Sequence, residues 1–310
     1  MKILCTTPVT HIEGIYEYML EFGSVCYIPD ADKNDLKQID ITKYDVIFCN
    51  PNNQNYVLDE ECLRSFSGTI LTASTGLNHI DLDYCDKLKI NVMSHTNDYE
   101  FLDNLPSTSE LAFTLMMMLL RNTHKCKDHV SSFMWDHTQF IGRQVKNLTI
   151  GIIGYGRLGK MMYDYCKAFG ANVIVHDPYQ GQIETVDLET LVSNSDVISL
   201  HVHTTEETIG MLNKYSLANC KEGLNIINTA RGCIVNERDI VNMIKNKNIS
   251  GYATDVVVNE FDNVKLSPIV NCMNDGYNII VTPHIGGVTK EGLSIAYRWS
   301  LDKLKTLKNK

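Results

Sequence analysis

A glycine pattern and an aspartate stand in the order that a dinucleotide-binding site requires. The pattern is G-x-G-x-x-G over 154–159, directly after the apolar, β-rich run 149–153. Helical spacing follows over 160–169, and a second strand-like run, 172–176, ends at Asp177. A strand, a glycine turn, a helix, a second strand and an acid are together the sequence signature of such a site.

Each glycine of the pattern has a physical function. One permits the tight turn, one lets a pyrophosphate approach the backbone, and one lets the helix pack closely on its strand. The anion would lie at the N-terminus of the helix, where N–H groups and the helix dipole stabilise it. Asp177 would accept hydrogen bonds from ribose hydroxyls and repel a 2′-phosphate, which predicts NAD rather than NADP. An isolated pattern of this kind is usually an ordinary turn, but the flanking strands and the acid favour the nucleotide.

Three further polar residues, Arg231, Glu260 and His284, each follow a predicted strand on the side of the sheet where a cofactor would lie. Arginine offers a planar fork for a carboxylate and a carbonyl oxygen. Histidine donates a proton near neutral pH, and a carboxylate beside it orients the ring. The set therefore predicts a site for hydride transfer to a carbonyl. Taken singly, the three residues are better explained as a strand-end salt bridge, a surface acid and a polar loop residue. Their joint position beyond three strand ends favours the site.

Length and composition are those of a globular protein with two domains. The chain has 310 residues, of which 44% are hydrophobic and 21% charged. A net charge of −9 gives no attraction to nucleic acid or to an anionic membrane, and neither is an expected partner. The strongest apolar run, 111–120, is too short to span a bilayer and predicts a buried helix.

Ten cysteines are scattered along the chain without a C-x-x-C pair, which disfavours both a disulfide framework and a zinc site. Reduced thiols are typical of cytosolic proteins. The N-terminal segment enters a short strand directly and lacks the long apolar core of a signal peptide. We therefore expect a cytoplasmic protein without a metal.

Strand-like and helix-like runs alternate in both halves of the chain, which predicts an α/β fold with two open parallel sheets. The predicted strands are 3–6, 25–28, 46–49, 70–73, 91–94, 149–153, 172–176, 196–202, 224–229, 251–257 and 279–282. Helical spacing is present over 14–22, 59–66, 107–121, 160–169 and 290–307. The polar turn 74–81 follows the fourth strand at its carboxyl end, where open α/β sheets bind ligands. Its backbone N–H groups could hold a carboxylate, although an ordinary loop explains the pattern equally well.

Six blocks of sequence, in a fixed order, resemble the D-isomer-specific 2-hydroxyacid dehydrogenases. That family includes D-lactate, glyoxylate/hydroxypyruvate and 3-phosphoglycerate dehydrogenases. The blocks are S-T-G-L-N-H-I-D (74–81), S-T-S-E-L-A (107–112), G-Y-G-R-L-G (154–159), N-T-A-R-G-C-I-V-N-E (228–237), D-V-V-V-N-E (255–260) and T-P-H-I-G-G-V-T (282–289). The resemblance implies two Rossmann-like domains: a discontinuous substrate domain, 1–99 plus 287–310, and an NAD-binding domain, 100–286.

The resemblance also implies roles for individual residues. The expected catalytic residues are Arg231, Glu260 and His284. The residues expected to bind substrate are Thr75, Gly76, Leu77 and Arg231. The residues expected to bind NAD are Ser107, Gly154, Gly156, Arg157, Leu158, Gly159, Asp177, Ala230, Asp255 and Gly287.

The activity that the resemblance implies is NAD-dependent interconversion of a small 2-oxo acid and its D-2-hydroxy acid, in a homodimer joined through the cofactor domain and the helix that enters it. The block 74–81 and the Ile-Gly-Gly after His284 indicate the phosphoglycerate dehydrogenase-like branch. The neutral loop 50–55 lacks the arginines that would bind a substrate phosphate, so the identity of the acid stays open. An NAD(H)-binding corepressor-like or sensor module without turnover is the alternative. A formate or phosphite oxidiser is less favoured, because formate enzymes of this fold usually replace the Glu partner of the histidine.

Overall fold

The computed structural model describes residues 1–51, 56–260 and 263–308 and divides the chain into two compact units. Unit 1 consists of Met1–Leu105 and Val288–Lys310, and unit 2 is Pro106–Gly287. The domain boundaries expected from the sequence, 99/100 and 286/287, fall slightly earlier in the chain. Residues 100–105 belong to unit 1 because Phe101 stacks on Trp299, with ring centroids 4.8 Å apart.

Eleven strands lie within the described residues, and each corresponds to a predicted one. They are Lys2–Cys5 (β1), Ser24–Tyr27 (β2), Val46–Phe48 (β3), Thr69–Leu71 (β4), Asn91–Met93 (β5), Thr149–Ile153 (β6), Asn172–His176 (β7), Val197–Leu200 (β8), Asn225–Asn228 (β9), Gly251–Thr254 (β10) and Ile279–Val281 (β11). Every pairing between these strands is parallel. The predicted α/β class with two open parallel sheets is confirmed.

Helices connect the strands. They are Ile15–Leu20 (α1), Lys33–Gln38 (α2), Leu82–Leu88 (α3), Tyr99–Leu102 (α4), Ser107–Arg121 (α5), Cys126–Ser131 (α6), Arg157–Ala168 (α7), Leu188–Asn194 (α8), Glu237–Lys245 (α9), Pro268–Asn274 (α10), Lys290–Lys303 (α11) and Lys305–Lys308 (α12). Single 3-10 turns are formed by Ile41–Lys43, Thr123–Lys125, Thr138–Phe140, Gly232–Ile234 and Val264–Leu266.

The strand order places a switch point in each sheet. Unit 1 has the order β2-β1-β3-β4-β5, and unit 2 has the order β11-β10-β9-β8-β6-β7. In unit 2 the chain direction across the sheet reverses between β6 and β8, since β7 lies on the far side of β6. Open α/β sheets bind ligands beyond the carboxyl ends of their strands at such a point. The glycine turn follows β6 and therefore lies at this position.

Apolar side chains alternate between the two faces of each sheet and bury both. In unit 2, Ile226 belongs to the cluster on one face and its neighbour Ile227 to the cluster on the other. In unit 1, Ile47 and its neighbour Phe48 are divided in the same way. Two buried faces explain why these strands read as continuous apolar runs.

Helix α5 has the predicted bounds, and its apolar side is used within its own unit. Its buried residues include Ala112, Leu115, Met116, Leu119 and Leu120, which pack in the cluster beneath β6 and β9. Asn122 ends the helix in the left-handed conformation, with φ of 52°. The buried helix predicted for 111–120 is confirmed.

The helix predicted over 59–66 is wrong, because the segment forms successive turns. The Asp59 carboxylate accepts the backbone N–H groups of Glu61 and Cys62 at 3.1 and 3.3 Å and so caps one turn, in which the Leu63 N–H bonds to the Asp59 carbonyl at 2.8 Å. Ser65 has φ of 55° and ends the segment in the left-handed region. The apolar residues of the segment are buried although no helix forms, since Leu63 and Phe66 lie in the core.

Within the described residues, none of the helices combines the length and the apolar composition that a membrane span requires. The same residues contain no group of three or more His, Cys, Asp or Glu side chains arranged to hold a metal ion.

Candidate active site

The three glycines of the turn after β6 occupy three different environments. Gly154 has φ of +89°, and a Cβ there would lie 2.6 Å from the His201 carbonyl oxygen after β8. A Cβ on Gly159 would lie 1.9 Å from the Gly154 oxygen, so α7 packs against the turn at backbone distance. At Gly156, the N-cap of α7, a Cβ would meet no atom within 4 Å. Gly154 therefore makes the turn, and Gly159 allows the close packing of the helix. Gly156 leaves open space at the helix N-terminus that fits a pyrophosphate.

Asp177 follows β7 and is hydrogen-bonded to the same turn. Its carboxylate accepts the backbone N–H of Tyr155 at 2.8 Å and that of Tyr179 at 3.0 Å. These bonds fix the carboxylate next to the glycine turn, where an adenosine ribose is expected. They also leave each oxygen with acceptor capacity, because a carboxylate oxygen has two lone pairs.

Arg231 lies in the loop after β9, and Asn228 at the end of that strand shapes the loop. The Asn228 Oδ1 atom accepts the N–H of Ala230 at 3.0 Å, and its Nδ2 group donates to the Arg231 carbonyl at 2.9 Å. The Arg231 guanidinium donates to the Ala230 carbonyl at 2.6 Å. A Cβ on Gly232 would lie 2.4 Å from the carbonyl carbon of Val257, so this loop packs on the one after β10.

His284 and Glu260 form the hydrogen-bonded pair that the sequence predicted. The distance between His284 Nδ1 and Glu260 Oε1 is 3.0 Å, and the two side chains are 42% and 16% exposed. The second carboxylate oxygen of Glu260 is buried, and no described residue hydrogen-bonds to it. The ring is thus held at one nitrogen by a largely buried carboxylate.

The backbone of His284 is in the left-handed region, with φ of 54°, and Asp255 stabilises this conformation. The Asp255 carbonyl accepts the His284 N–H at 3.0 Å. The buried Asp255 carboxylate accepts the hydroxyl of Thr282 at 2.6 Å and the N–H groups of Ile285 and Gly286 at 2.8 and 2.7 Å. Asp255 was expected to bind NAD. In the structure it also fixes the loop that carries the histidine.

The first turn of α5 completes the site of unit 2. The Ser109 hydroxyl donates to the carbonyl of Leu158 at 3.0 Å, which ties the start of α5 to the start of α7. A Cβ on Gly286 would lie 3.1 Å from both Thr108 and Asp255. These contacts bring together the regions of several residues expected to bind NAD, namely Ser107, Arg157, Leu158, Asp255 and Gly287. A Cβ on Gly287 would meet no atom within 4 Å.

The turn expected to bind a substrate carboxylate belongs to unit 1. Thr75 is exposed, and Gly76 and Leu77 are half-buried. The Ser74 hydroxyl donates to the Gly76 carbonyl at 2.9 Å and accepts its N–H at 3.2 Å, which holds the turn in shape. The neutral loop 50–55 lies for the most part outside the described residues, at 52–55.

A buried polar network lies beneath this turn. The Asn50 carboxamide oxygen accepts the Thr72 hydroxyl at 3.0 Å and the Ala73 N–H at 2.7 Å. The Thr72 hydroxyl also lies 3.2 Å from His79 Nε2. Burial lowers the pKa of His79 to about 4, against a smaller opposite effect of the Cys49 carbonyl. His79 is therefore a neutral structural residue at physiological pH.

Sequence reasoning missed several residues that shape the site, because their motifs were recognised without assigning roles to every member. Asn228 is the first residue of the block 228–237 and Glu237 is its last. Glu237 accepts the N–H of Val258, in the loop that carries Glu260, at 2.9 Å. Asparagine at a strand end, directly before the predicted arginine loop, was the available signal for a loop-shaping residue.

His201, directly after β8, contacts a side chain of its own strand and is not part of the pair formed by His284 and Glu260. Its Nε2 atom lies 2.8 Å from the hydroxyl of Ser199, within β8. Burial lowers the pKa of His201 to about 4.

A family model and two curated relatives match this chain. The model for the NAD binding domain of D-isomer specific 2-hydroxyacid dehydrogenases matches residues 113–286, and NAD is thereby the cofactor of unit 2. The D-3-phosphoglycerate dehydrogenase of Bacillus subtilis is 32% identical over 245 residues, which are 76% of this chain and 44% of that protein. The hydroxypyruvate reductase of Thermotoga maritima is 31% identical over 227 residues, which are 72% of this chain and 71% of that protein. The chain spans about half the length of the first curated relatives it matches.

A solved structure gives the same result for the fold. The apo D-lactate dehydrogenase from Escherichia coli aligns over 100% of this chain and 97% of its own, with a TM-score of 0.83 and 24% identity. The relatives named here are dehydrogenases and a reductase, and they do not support the corepressor-like alternative. Because the family model covers more than half of the sequence, the chain belongs to the D-isomer specific 2-hydroxyacid dehydrogenase family.

Proposed function

We propose that the protein is an NAD-dependent oxidoreductase that interconverts a small 2-oxo acid and its D-2-hydroxy acid. The observation that carries this proposal is the 3.0 Å contact between His284 Nδ1 and Glu260 Oε1. A histidine paired with a carboxylate is the proton-transfer unit that reduction of a carbonyl needs. It lies in the same unit as the glycine turn of the NAD-binding domain.

The chain's own residues would divide the reaction as follows. Bound NAD supplies or accepts the hydride at its nicotinamide ring. Arg231 holds the substrate carboxylate and polarises the carbonyl, because a guanidinium presents several N–H donors in one plane. Glu260 engages Nδ1 of His284, so Nε2 is the ring atom that gives the proton to the developing alkoxide and takes it back in the reverse direction.

The N–H groups of Thr75, Gly76 and Leu77 are proposed to bind the substrate carboxylate. The hydrogen bonds between Ser74 and Gly76 support this, because they hold the turn in a fixed shape. The similarity to both a phosphoglycerate dehydrogenase and a hydroxypyruvate reductase sets the candidate substrates: three-carbon 2-oxo acids with and without a phosphate.

The test follows NADH absorbance with a panel of 2-oxo acids: glyoxylate, pyruvate, hydroxypyruvate, 2-oxoglutarate and 3-phosphohydroxypyruvate. We expect turnover of at least one acid, and a loss of about 10²–10⁴-fold in kcat for His284→Gln. The matched control is His11→Gln, since His11 is an exposed histidine outside both the site and the segment 130–141. Tight NADH binding without turnover of any acid, or full activity of His284→Gln, would contradict the proposal.

A homodimer is proposed as the assembly, with residues 130–141 of unit 2 in the interface. This segment carries three of the most exposed apolar side chains described: Phe133, Trp135 and Ile141 are 99%, 91% and 81% exposed. Large apolar side chains clustered at a surface mark protein interfaces, and a second copy of this chain is the proposed partner. Sedimentation should give a dimer, and Phe133→Ser combined with Trp135→Ser should give a monomer. A wild-type monomer at micromolar concentration would refute the assignment.

A cytoplasmic location of the protein is proposed because its cysteine thiols are not paired in disulfides. All ten cysteines, which lie within the described ranges, are free. Free thiols persist in reducing compartments, whereas secreted proteins commonly pair them. Cell fractionation tests the proposal, and recovery of the native protein outside the cytoplasm would contradict it.

A further inference from the structure

A buried carboxylate, that of Glu237 at the start of α9, lies behind the catalytic pair. The side chain is 7% exposed. Its Oε1 atom accepts the N–H of Val258 at 2.9 Å, and its Oε2 atom accepts the hydroxyl of Ser267 at 3.1 Å. Val258 precedes Glu260 by two residues, so this carboxylate holds the backbone of the loop that carries the catalytic acid.

The position is costly for a negative charge. A buried carboxylate is unfavourable unless hydrogen bonds or a cation compensate it, and in the described part of the chain no lysine, arginine or histidine forms an ion pair with Glu237. Burial raises the pKa of Glu237, and the charge of Glu260 raises it further, against the hydrogen bonds from Val258 and Ser267. A carboxylate buried at this cost and bonded to the amide of Val258, two residues before the catalytic acid, points to a role in the site.

The neighbouring contacts limit how the loop after β10 can move. Gly232 packs on Val257 so closely that a Cβ would lie 2.4 Å from the Val257 carbonyl carbon. The loop is thus held at Val257 by the Arg231 loop and at Val258 by Glu237. With both contacts present, Glu260 has a defined distance to His284.

We propose that Glu237 is a positioning residue: through the Val258 amide it fixes Glu260 against Nδ1 of His284. The inference rests on the proposed function and adds a residue to its machinery. Four titratable groups lie near Glu237 and Val258: Glu260 in the same loop as Val258, Asp255 in the loop after β10, His284 in the loop after β11, and Tyr252 of β10. Burial raises the pKa of the Tyr252 phenol, and the charge of Glu237 raises it further.

Three variants at position 237 separate the effect of side-chain length from the effect of its negative charge. Glu237→Gln keeps an oxygen at the position that accepts the Val258 N–H and removes the charge. Glu237→Asp keeps the charge but is one methylene too short to reach the amide. Glu237→Ala removes both, and Glu222→Ala is the matched control, since Glu222 is exposed and outside the site. NADH affinity and Tm are measured for every variant to separate misfolding from misplacement.

The expected kinetic result is a ranking. Glu237→Ala and Glu237→Asp should lower kcat by up to about 10²-fold, the effect of a misplaced catalytic group, while Glu237→Gln retains most of the activity. When Glu260→Gln is already present, adding Glu237→Ala should lower kcat little further, because the effect of Glu237 on kcat passes through Glu260. The pH profile of kcat should move in Glu237→Ala in the same direction as in Glu260→Gln.

Three results would overturn the inference. They are an unchanged pH profile in Glu237→Ala, an equal loss of kcat with and without Glu260, and an Asp variant more active than the Gln variant. The last comparison decides the matter even if Glu237→Ala does not fold.

A spectrum independent of turnover separates this inference from the proposed function. Histidine labelled with carbon-13 at Cε1 gives one NMR signal per ring, and His284→Gln identifies that of His284. The signal should move in both Glu237→Asp and Glu260→Gln. If the His284 signal does not move in Glu237→Asp, the positioning role of Glu237 is wrong, independently of which substrate the enzyme uses. If it moves although no 2-oxo acid is reduced, only the proposed function fails.

Discussion

Replacing two glycines of the turn after β6, one at a time, by alanine should separate cofactor binding from packing. At Gly156 the added methyl group meets no atom within 4 Å, and φ of −73° suits any residue. At Gly159 the methyl carbon would lie 1.9 Å from the Gly154 oxygen. The same chemical change is therefore harmless to the fold at one position and incompatible with the present packing three residues later.

The magnitudes follow from these distances. Non-bonded carbon atoms do not approach an oxygen closer than 3.0 Å, so α7 or the turn must move by more than an ångström in Gly159→Ala. Overpacking of this kind costs about 1–3 kcal/mol, and each kcal/mol lowers Tm by about 2–4 °C in a domain of 150–250 residues. In Gly156→Ala the methyl group occupies the space predicted for the pyrophosphate. Losing one charge-assisted hydrogen bond there costs about 1.5–3 kcal/mol, or roughly 10–10²-fold in NADH affinity.

Thermal unfolding and NADH fluorescence titration measure the two effects on the same samples. We expect Gly156→Ala to keep the wild-type Tm and lose affinity, and Gly159→Ala to lose Tm. Wild-type NADH affinity in Gly156→Ala would refute the placement of the pyrophosphate. An unchanged Tm in Gly159→Ala would refute the backbone contact between α7 and the turn.

Further predictions address the ribose, the histidine loop and acid stability. Asp177→Ala removes the charge that repels a 2′-phosphate, so the NADPH affinity relative to NADH should rise by about 10-fold or more in fluorescence titrations; an unchanged ratio would argue against this role. Asp255→Asn places an amide against the N–H donors of Ile285 and Gly286 and should cost about 1–3 kcal/mol in urea unfolding, whereas a neutral effect would contradict the three hydrogen bonds to this carboxylate. The pKa of His79 falls from 6.5 to about 4 on folding, so the folded state favours the neutral ring. The free energy of unfolding therefore has its full value above pH 6.5 and decreases as the pH falls towards 4. The loss is about 3 kcal/mol, and urea unfolding of His79→Gln should show a correspondingly weaker dependence on pH over this range.

The sequence predicts strands and the cofactor turn well because both depend on local patterns. Each strand is an apolar run bounded by polar or glycine residues, and parallel strands buried on both faces keep this pattern along their length. The helix over 59–66 was predicted wrongly for a reason that spacing does not show. The Asp59 side chain caps a single turn, Ser65 ends that turn in the left-handed region, and Leu63 and Phe66 are buried without a longer helix.

The site was predictable where chemistry requires a particular side chain and less so where a side chain shapes the backbone. Arginine, glutamate and histidine after successive strands predicted the pair between Glu260 and His284, whose distance is 3.0 Å. The left-handed backbone of His284 and the bonds that Asp255 makes to its loop depend on contacts between segments about 30 residues apart, which no local pattern encodes. For the same reason Asn228 and Glu237 acquired roles only from their contacts.

The discontinuity of unit 1 has a consequence for synthesis of the chain. Unit 2 is one uninterrupted segment, so all of its residues are joined before residue 288 is added. Unit 1 has to wait, because one face of its sheet is covered by Tyr297, Leu301 and Leu304 from the last part of the chain. Domains generally fold as they emerge, at about 5–20 residues per second. Residues 1–105, although translated before unit 2, should therefore complete their fold after it, with an unfinished apolar face exposed to chaperones in the meantime.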